Sequence, residues 1–200
     1  MAMKRFIPFM KKDPVVPVIR LSGAIGTGRA GLSDAGLAPV IEKAFKMKPA
    51  AVALVINSPG GSPVQSSLIA ARIRRLAQEH QVPVHAFVED VAASGGYWLA
   101  CAGDQIIANP ASIIGSIGVV SAGFGFDRAI DKIGVDRRVY TSGISKSMLD
   151  PFRPENPYDV THLKALQEDI HAQFIAMVKS RRGSRLNAAD EMLFSGAFWT

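Results

Sequence analysis

Two glycine-flanked serine segments are the parts of this chain whose residue types can do chemistry. Residues 92–98 (AASGGYW) place Ser94 between a predicted strand and a predicted helix, among residues small enough to let a substrate backbone approach. A serine at a helix N-terminus has free backbone N–H groups beside it, and developing negative charge is best held there. Ser94 is therefore a candidate nucleophile, and simple capping of the helix is the alternative interpretation.

The second segment, residues 57–62 (NSPGGS), follows an apolar strand and precedes a helix. In an open α/β sheet, ligands bind at the carboxyl ends of strands, and a Gly-Gly turn can aim consecutive backbone N–H groups into that crevice. No Gly-Lys-Ser/Thr follows the segment, and it does not contain Gly-x-Gly-x-x-Gly, so it is not a nucleotide phosphate loop. It is either a ligand-binding turn or a plain Pro-Gly-Gly turn.

A nucleophilic serine needs a group that accepts its proton. None of the four histidines lies in a glycine-rich or loop setting typical of a catalytic base. A lysine can accept the proton when burial lowers the pKa of its amine from about 10.4 toward neutrality. Lys146 fits this role, because residues 142–148 (SGISKSM) set it in a loop after a predicted strand among small and apolar neighbours. An exposed loop lysine is the alternative interpretation.

Composition limits the class of protein. The chain has 200 residues, of which 48% are hydrophobic and 20% charged, as in an ordinary globular domain. The net charge of +6 comes from small basic clusters without interleaved stacking aromatics, so we expect solvated surface and no nucleic-acid partner. The lone Cys101 excludes an internal disulfide and a Cys-rich zinc site, and we expect a buried thiol and neither metal nor cofactor.

The two ends of the chain have distinct compositions. Residues 1–14 are a basic, proline-containing lead-in without the apolar region of a secretory signal, which favours the cytoplasm and, as a further expectation, contact with the anionic inner face of the membrane. Residues 15–200 are predicted to form a single catalytic domain. Because Phe198 and Trp199 leave two large aromatics at its end, we expect more chain or a partner surface there.

Alternating apolar strands and amphipathic helices predict an α/β layer domain. Residues 50–56 are continuously apolar, which is typical of a strand covered on both faces. Residues 89–94 are predicted to turn the corner between a strand and the helix after Ser94. The strands are predicted at 15–21, 50–56, 82–88, 105–108, 113–120 and 135–140, and the helices from Ser33 or Asp34 to Pro49 and at 63–80, 95–102, 126–133, 159–181 and 187–193.

Four segments in order resemble the motifs of the S49 peptidases, the signal peptide peptidase A family. They are residues 57–62, 92–97, 115–119 (GSIGV) and 142–146. The resemblance runs from about Val15 to the C-terminus, and it implies the α/β fold shared by the crotonases and the Clp proteolytic subunit.

The resemblance also implies the roles of particular residues. Ser94 would be the nucleophile and Lys146 the general base of a Ser-Lys dyad, with Ser116 orienting the lysine amine. The backbone N–H groups of Gly61 and Gly95 would form the oxyanion hole. Gly60 would shape the turn that holds the first of them.

Members of this family cleave hydrophobic peptides, including residual signal peptides, through an acyl-enzyme, and they build rings in which the serine and the lysine can come from neighbouring subunits. The resemblance therefore implies a homo-oligomeric serine endopeptidase. Two family features are not found in this sequence, an N-terminal membrane anchor and a Gly-rich helix and strand after the aromatic end. We accordingly expect that the domain lacks its C-terminal end.

Two other functions remain open from the residues. A crotonase-like acyl-CoA-binding enzyme would use the glycine-rich amides to hold a thioester enolate, with Glu89 and Asp90 as its carboxylates. A catalytically inactive scaffold would use the same groove only to bind peptide.

Overall fold

The computed structural model describes residues 13–26, 28 and 31–200, and the chain divides into two compact units. Unit 1 comprises the described residues up to Gly118 together with Phe174–Thr200, and unit 2 is Val119–Gln173. Most of the predicted basic lead-in, residues 1–12, lies outside the described residues. Within the described ranges, no helix has both the length and the hydropathy that a bilayer crossing requires.

The strands form one sheet in unit 1, and this confirms the predicted α/β class. Its order is β1-β2-β3-β5-β6, and β4 also pairs with β3. All pairings are parallel except that of β5 with β6. The strands are β1 Val18–Ser22, β2 Val52–Ser58, β3 Val84–Ala93, β4 Gln105–Ala108, β5 Ile113–Gly115 and β6 Phe198–Trp199.

Local signals fix the helices that follow the strands. Ser33 caps the first helix by accepting a hydrogen bond from the Gly36 N–H, and Ser62 caps the second by accepting from the Gln65 N–H. Caps of this kind satisfy backbone donors that have no partner inside the helix. The helices are α1 Asp34–Lys46, α2 Pro63–His80, α3 Gly95–Ala100, α4 Asp127–Lys132, α5 Pro157–Arg182 and α6 Asp190–Leu193.

Burial alternates along the sheet, and this contradicts the prediction that the second strand is covered on both faces. On β2, Val52, Leu54 and Ile56 are fully buried, whereas Ala53 and Val55 are only half-buried. The buried face joins the apolar faces of the helices in one core. That core includes Ile19, Leu21, Ile41, Phe45, Leu54, Ile56, Ile69, Ile73, Val84 and Leu99.

The third strand is longer than predicted. The predicted turn at residues 89–94 is wrong for most of its length, since β3 continues to Ala93. The strand continues because Val91–Ala93 pair with β5. The exposed acidic residues before them have polar partners: Arg20 pairs with Glu89 at 2.8 Å, and Asn57 Nδ2 donates to Asp90 at 2.6 Å. Ser94 therefore follows directly after the last residue of β3.

The fifth strand is shorter than predicted, and the final strand was not predicted. Residues 113–120 pair only as far as Gly115, because Ser116 takes a positive φ of 53° that ends the strand. The Ser116 N–H then donates to Ala197 O at 2.7 Å, and the Trp199 ring lies so close to Gly115 that a Cβ there would be 2.8 Å from it. The Phe198 ring is 65% exposed. It is therefore the aromatic over which more chain or a partner surface is expected.

Unit 2 contains no strand among its described residues, so the predicted strand at 135–140 is wrong. An isolated strand has no partner for its backbone groups, and unit 2 offers only helices and turns. The local polar groups are used in turns instead: the Val135 N–H donates to Ile130 O, and Arg137 pairs with Asp150 at 3.1 Å.

Asp104 joins three elements of unit 1. Its carboxylate accepts from the Val84 N–H at 2.9 Å and forms ion pairs with Arg74 at 2.8 Å and Arg181 at 3.0 Å. Burial opposes ionisation of Asp104, but the hydrogen bonds from Val84 and Arg181 and the charges of both arginines outweigh it and lower its pKa. The carboxylate therefore stabilises the fold at pH values above its ordinary pKa, and this contribution is lost as the pH falls through the lowered value.

We expect Asp104→Asn to lower the free energy of unfolding at pH 7 by about 1 to 2 kcal/mol, because two charge-assisted hydrogen bonds are weakened. Urea unfolding at pH 7 and at acidic pH measures this loss, which should start to shrink below about pH 4, where the carboxylate of the unfolded chain is protonated, and should vanish as the pH falls through the lowered pKa of the folded state. Asp136→Asn, which removes an exposed ion pair with Arg138, is the control and should change stability by less than about 0.5 kcal/mol. A loss that persists unchanged at low pH would contradict this electrostatic account.

Candidate active site

Ser94 occupies the turn between β3 and α3 in a strained backbone conformation. Its φ of 52° and ψ of −122° lie outside the regions that non-glycine residues ordinarily adopt. The conformation is held because the Ser94 N–H donates to Gly115 O at 2.8 Å, and its C=O accepts from the Trp98 N–H at 3.1 Å. Strain of this kind costs about 1 to 3 kcal/mol and is concentrated at functional sites.

The Ser94 side chain does not cap the helix it precedes. Capping was the alternative interpretation of this serine, and the structure removes it. The residue is half-buried, so its hydroxyl lies at the boundary of the core. The nucleophilic serine of α/β-hydrolases also lies on a sharp strand-to-helix turn, which exposes its Oγ.

The turn at Gly60 and Gly61 lies directly against the Ser94 turn. A Cβ added to Gly60 would be 2.8 Å from Ala93 O, from Gly95 N and from Ser94 Cβ. The same turn is closed on its other side, where a Cβ on Gly61 would be 2.1 Å from Ile25 O. The two segments singled out in the sequence therefore meet in space, and they do so through glycines because no side chain fits.

Peptide geometry sets the direction of two backbone donors. Gly60 O accepts from the Ile25 N–H at 2.9 Å, and in a trans peptide the Gly61 N–H points the opposite way, away from Ile25. By the same argument the Gly95 N–H points away from the helix, since Ser94 O accepts from Trp98. Within the described ranges neither amide has a hydrogen-bond acceptor. Such a pair of free donors beside a serine can stabilise an oxyanion.

The third segment also reaches Ser94. Gly115 O is the acceptor of the Ser94 N–H, and Ser116 is the next residue along the chain. Ser116 is half-buried, and its strained φ turns the chain away from β5. Unit 1 thus brings together Ser94, Gly95, Gly60, Gly61 and Ser116.

Lys146 lies in unit 2, in a series of turns that starts after Thr141. It is exposed, and its N–H donates to Gly143 O at 3.2 Å. Its loop setting matches the prediction, whereas its exposure matches the alternative interpretation, an exposed loop lysine. Its role as base remains a prediction.

Other candidates for base or nucleophile in unit 1 are unsuitable. His85 lies nine residues before Ser94 on β3, about 30 Å along the strand, and His80 is at the far end of α2, about 25 Å along that helix from its start. Burial raises the pKa of the Tyr97 hydroxyl and that of the Cys101 thiol to about 12. Both groups are therefore protonated at neutral pH, and Cys101 is buried as predicted.

Two contributors to the site were missed in the sequence. Ile25 holds the glycine turn through its backbone, donating to Gly60 O and accepting from the Ser62 N–H at 2.8 Å. Ser58 is fully buried, and its Oγ accepts from the Gly60 N–H at 3.2 Å. The signal for Ile25 was the Ser22-Gly23 pair that ends β1 at the edge of the parallel sheet where β2 also ends. The signal for Ser58 was a hydroxyl placed two residues before a glycine amide.

The chain is similar to known peptidases. The family model described as peptidase family S49 matches residues 76–200, which include Ser94, Ser116 and Lys146. The chloroplastic serine protease SPPA of Arabidopsis thaliana is 34% identical over 194 residues, which cover 92% of this chain and 28% of that protein.

A longer protein is more similar in sequence. A protein of Brucella melitensis named Na(+)/H(+) antiporter NhaA is 60% identical over 205 aligned residues, which cover 99% of this chain and 28% of that protein. The chain therefore spans less than a third of the length of either relative.

A solved structure shares the fold. It is a lysine-to-alanine mutant of a membrane-bound stomatin-specific protease in complex with a substrate peptide, with a TM-score of 0.55 and 21% identity. The match covers 94% of this chain and 69% of that one. At this identity the likeness establishes the fold, in agreement with the predicted ClpP/crotonase-like class.

We expect Gly60→Ala to destabilise the protein more than Gly23→Ala. The two glycines have nearly the same φ, 102° and 103°, so both variants bear the same backbone strain. Only at Gly60 does the new methyl group meet the Ser94 turn, whereas Gly23 has nothing within 4 Å. Urea unfolding should show an additional loss of about 1 to 3 kcal/mol for Gly60→Ala. Equal losses for the two variants would mean that the Gly60 turn is not in contact with the Ser94 turn.

Proposed function

Because the chain belongs to peptidase family S49, we propose that it is a serine endopeptidase in which Ser94 and Lys146 form the catalytic dyad. The observation that carries the proposal is the strained Ser94, whose side chain does not cap α3, next to two backbone amides that have no acceptor among the described residues. A serine peptidase needs this combination of nucleophile and oxyanion donors.

The proposed reaction begins with attack of Ser94 Oγ on a peptide carbonyl carbon, while the neutral Lys146 amine takes the hydroxyl proton. The carbonyl oxygen becomes an oxyanion and accepts hydrogen bonds from the N–H groups of Gly61 and Gly95. The lysine returns its proton to the leaving nitrogen, the C–N bond breaks, and an acyl-enzyme remains. Water then attacks the ester with Lys146 again as base, which releases the acid and restores Ser94.

Ser116 is the proposed partner of the lysine amine. It follows Gly115, whose carbonyl accepts from the Ser94 N–H, and this backbone contact, which sets Ser116 beside the Ser94 turn, supports the proposed role. The proposed substrates are extended hydrophobic peptides such as residual signal peptides, without metal or cofactor. Residues 15–200 would act as one catalytic domain.

The contacts of the acidic pair give no support to the acyl-CoA alternative. Glu89 is engaged by Arg20 through two hydrogen bonds, and Asp90 accepts from Asn57. Carboxylates held in this way are already paired with other side chains of the sheet. An inactive scaffold would retain the groove without the reaction, and the following experiment distinguishes it from a peptidase.

We expect a fluorophosphonate probe to label the wild-type protein at Ser94 between pH 7 and pH 10. Ser94→Ala should abolish labelling, and Lys146→Ala should slow it at least 100-fold, because the serine then lacks its base. Lys43→Ala is the matched control, because it removes a lysine of α1 that lies outside all four motif segments. Mass spectrometry of the labelled peptide gives the site. Absence of label at every pH would favour the scaffold.

We also propose that the protein works as a homo-oligomer. Unit 2 carries large apolar side chains that are more than 70% exposed, which is unusual for the surface of a monomer. A second copy of this chain is the proposed cover, and it would also allow serine and lysine to come from different subunits. The exposed residues are Val120, Phe124, Ile133, Tyr140 and Ile144.

We expect Ile133→Glu to reduce the molar mass in light scattering toward the 21.4 kDa of one chain, because a charge in an apolar interface is costly to bury. Peptidase activity should fall with the assembly. Met47→Glu, at a half-exposed position just after α1 in unit 1, is the control and should leave the mass unchanged. A wild-type protein that is monomeric and fully active would contradict the proposal.

A further inference from the structure

Ser58 is a buried hydroxyl that the proposed mechanism does not use. It is the last residue of β2, it is fully buried, and its Oγ accepts a hydrogen bond from the Gly60 N–H at 3.2 Å. On its other side, Ser58 O lies so close to α3 that a Cβ on Gly96 would be 2.2 Å from it. Ser58 therefore touches both the glycine turn and the helix that follows Ser94.

The Gly60 residue is fixed at both of its peptide groups. Its N–H donates to Ser58 Oγ, and its C=O accepts from the Ile25 N–H. The Gly61 N–H belongs to the same peptide plane as that C=O, so the two anchors together set its direction. Pro59 has no N–H, and the Gly60 amide is thus the first donor after the strand.

The two anchors differ in how they hold the turn. The Ile25 contact is made by the main chain, and every residue type at position 25 except proline can make it. The Ser58 contact depends on one side-chain oxygen. A glycine at a φ of 102° has wide conformational freedom, so the turn needs this second constraint to keep one orientation.

We propose that Ser58 is a positioning residue, whose hydroxyl fixes the Gly60–Gly61 turn so that the Gly61 amide faces the oxyanion. This inference rests on the proposed peptidase function. Ser58 makes no contact with substrate in this role. It acts through Gly60, because its Oγ accepts the hydrogen bond from the Gly60 N–H. The neighbouring Gly61 N–H is then held so that it faces the reacting atoms.

The test compares two buried serines. Ser58→Ala removes the anchor of the turn, while Ser112→Ala removes the hydroxyl of a residue that is 2% exposed, just before β5. Ser58→Ala loses the hydrogen bond from the Gly60 N–H, whereas Ser112→Ala loses at least two, to Glu89 O at 2.5 Å and from the Asn109 N–H at 3.0 Å. Thermal unfolding of Ser112→Ala should therefore shift at least as far as that of Ser58→Ala. With a peptide substrate that the wild type cleaves, we expect kcat of Ser58→Ala to fall about tenfold at unchanged KM. This loss is smaller than the factor of about 100 expected when an oxyanion donor is removed outright.

A peptide aldehyde provides a readout that a purely structural role would not move. Ser94 Oγ adds to the aldehyde carbon, and the former carbonyl oxygen takes the oxyanion position, so its affinity reports on the donors. We expect Ser58→Ala to weaken aldehyde binding about tenfold and Ser112→Ala to leave it unchanged. If Ser58→Ala is unfolded at the assay temperature, Ser58→Cys retains a side chain of similar shape with a weaker acceptor and should show the same loss.

The outcomes separate the two proposals. A wild type without Ser94-dependent turnover or aldehyde binding would overturn the peptidase proposal itself. An active wild type in which the Ser58 variants match Ser112→Ala in kcat and in aldehyde affinity would overturn the positioning role alone. A rise in KM at constant kcat would also overturn it, because that pattern indicates lost substrate binding.

Discussion

The close approach of two main-chain turns is the constraint on which the site depends. Gly60 lies against Ser94 and Gly95 at a distance that excludes any side chain at position 60. Parallel pairing of β2 with β3 brings both turns to one edge of the sheet. The backbone of Ile25 holds the glycine turn through hydrogen bonds to Gly60 O and from the Ser62 N–H. The buried face of the sheet and the helices packed on it keep these turns in contact, and the strained φ of Ser94 is one result.

The order of elements could be predicted because local signals dictate it. The bounds of α2 match the prediction, since Ser62 caps it, Pro63 begins it and Gln81 ends it in the left-handed conformation. β4 also matches. The length of β3 could not be predicted, because its last residues, Val91–Ala93, are kept in the strand by pairing with β5, and local sequence does not reveal that pairing.

The candidate site was predictable in part. Glycine and serine types in ordered motifs indicated the segments, and the contact between Gly60 and Ser94 agrees with them. Periodicity and propensity contain no information about a positive φ at a serine or about which amides lack acceptors, since both follow from tertiary pairing. Unit 2 was the least predictable part. The β-like pattern at residues 135–140 has no strand to pair with in that unit. For the exposed apolar residues of unit 2, we propose assembly with another copy of the chain.

The most direct test of the account is a crystal structure of the assembled protein with a peptide aldehyde bound to Ser94. We expect the adduct oxygen to accept hydrogen bonds from the N–H groups of Gly61 and Gly95, and Lys146 Nζ of the same or a neighbouring subunit to lie within about 3 Å of Ser94 Oγ. A structure in which the adduct oxygen faces solvent and every Lys146 amine is remote from Ser94 would contradict the account.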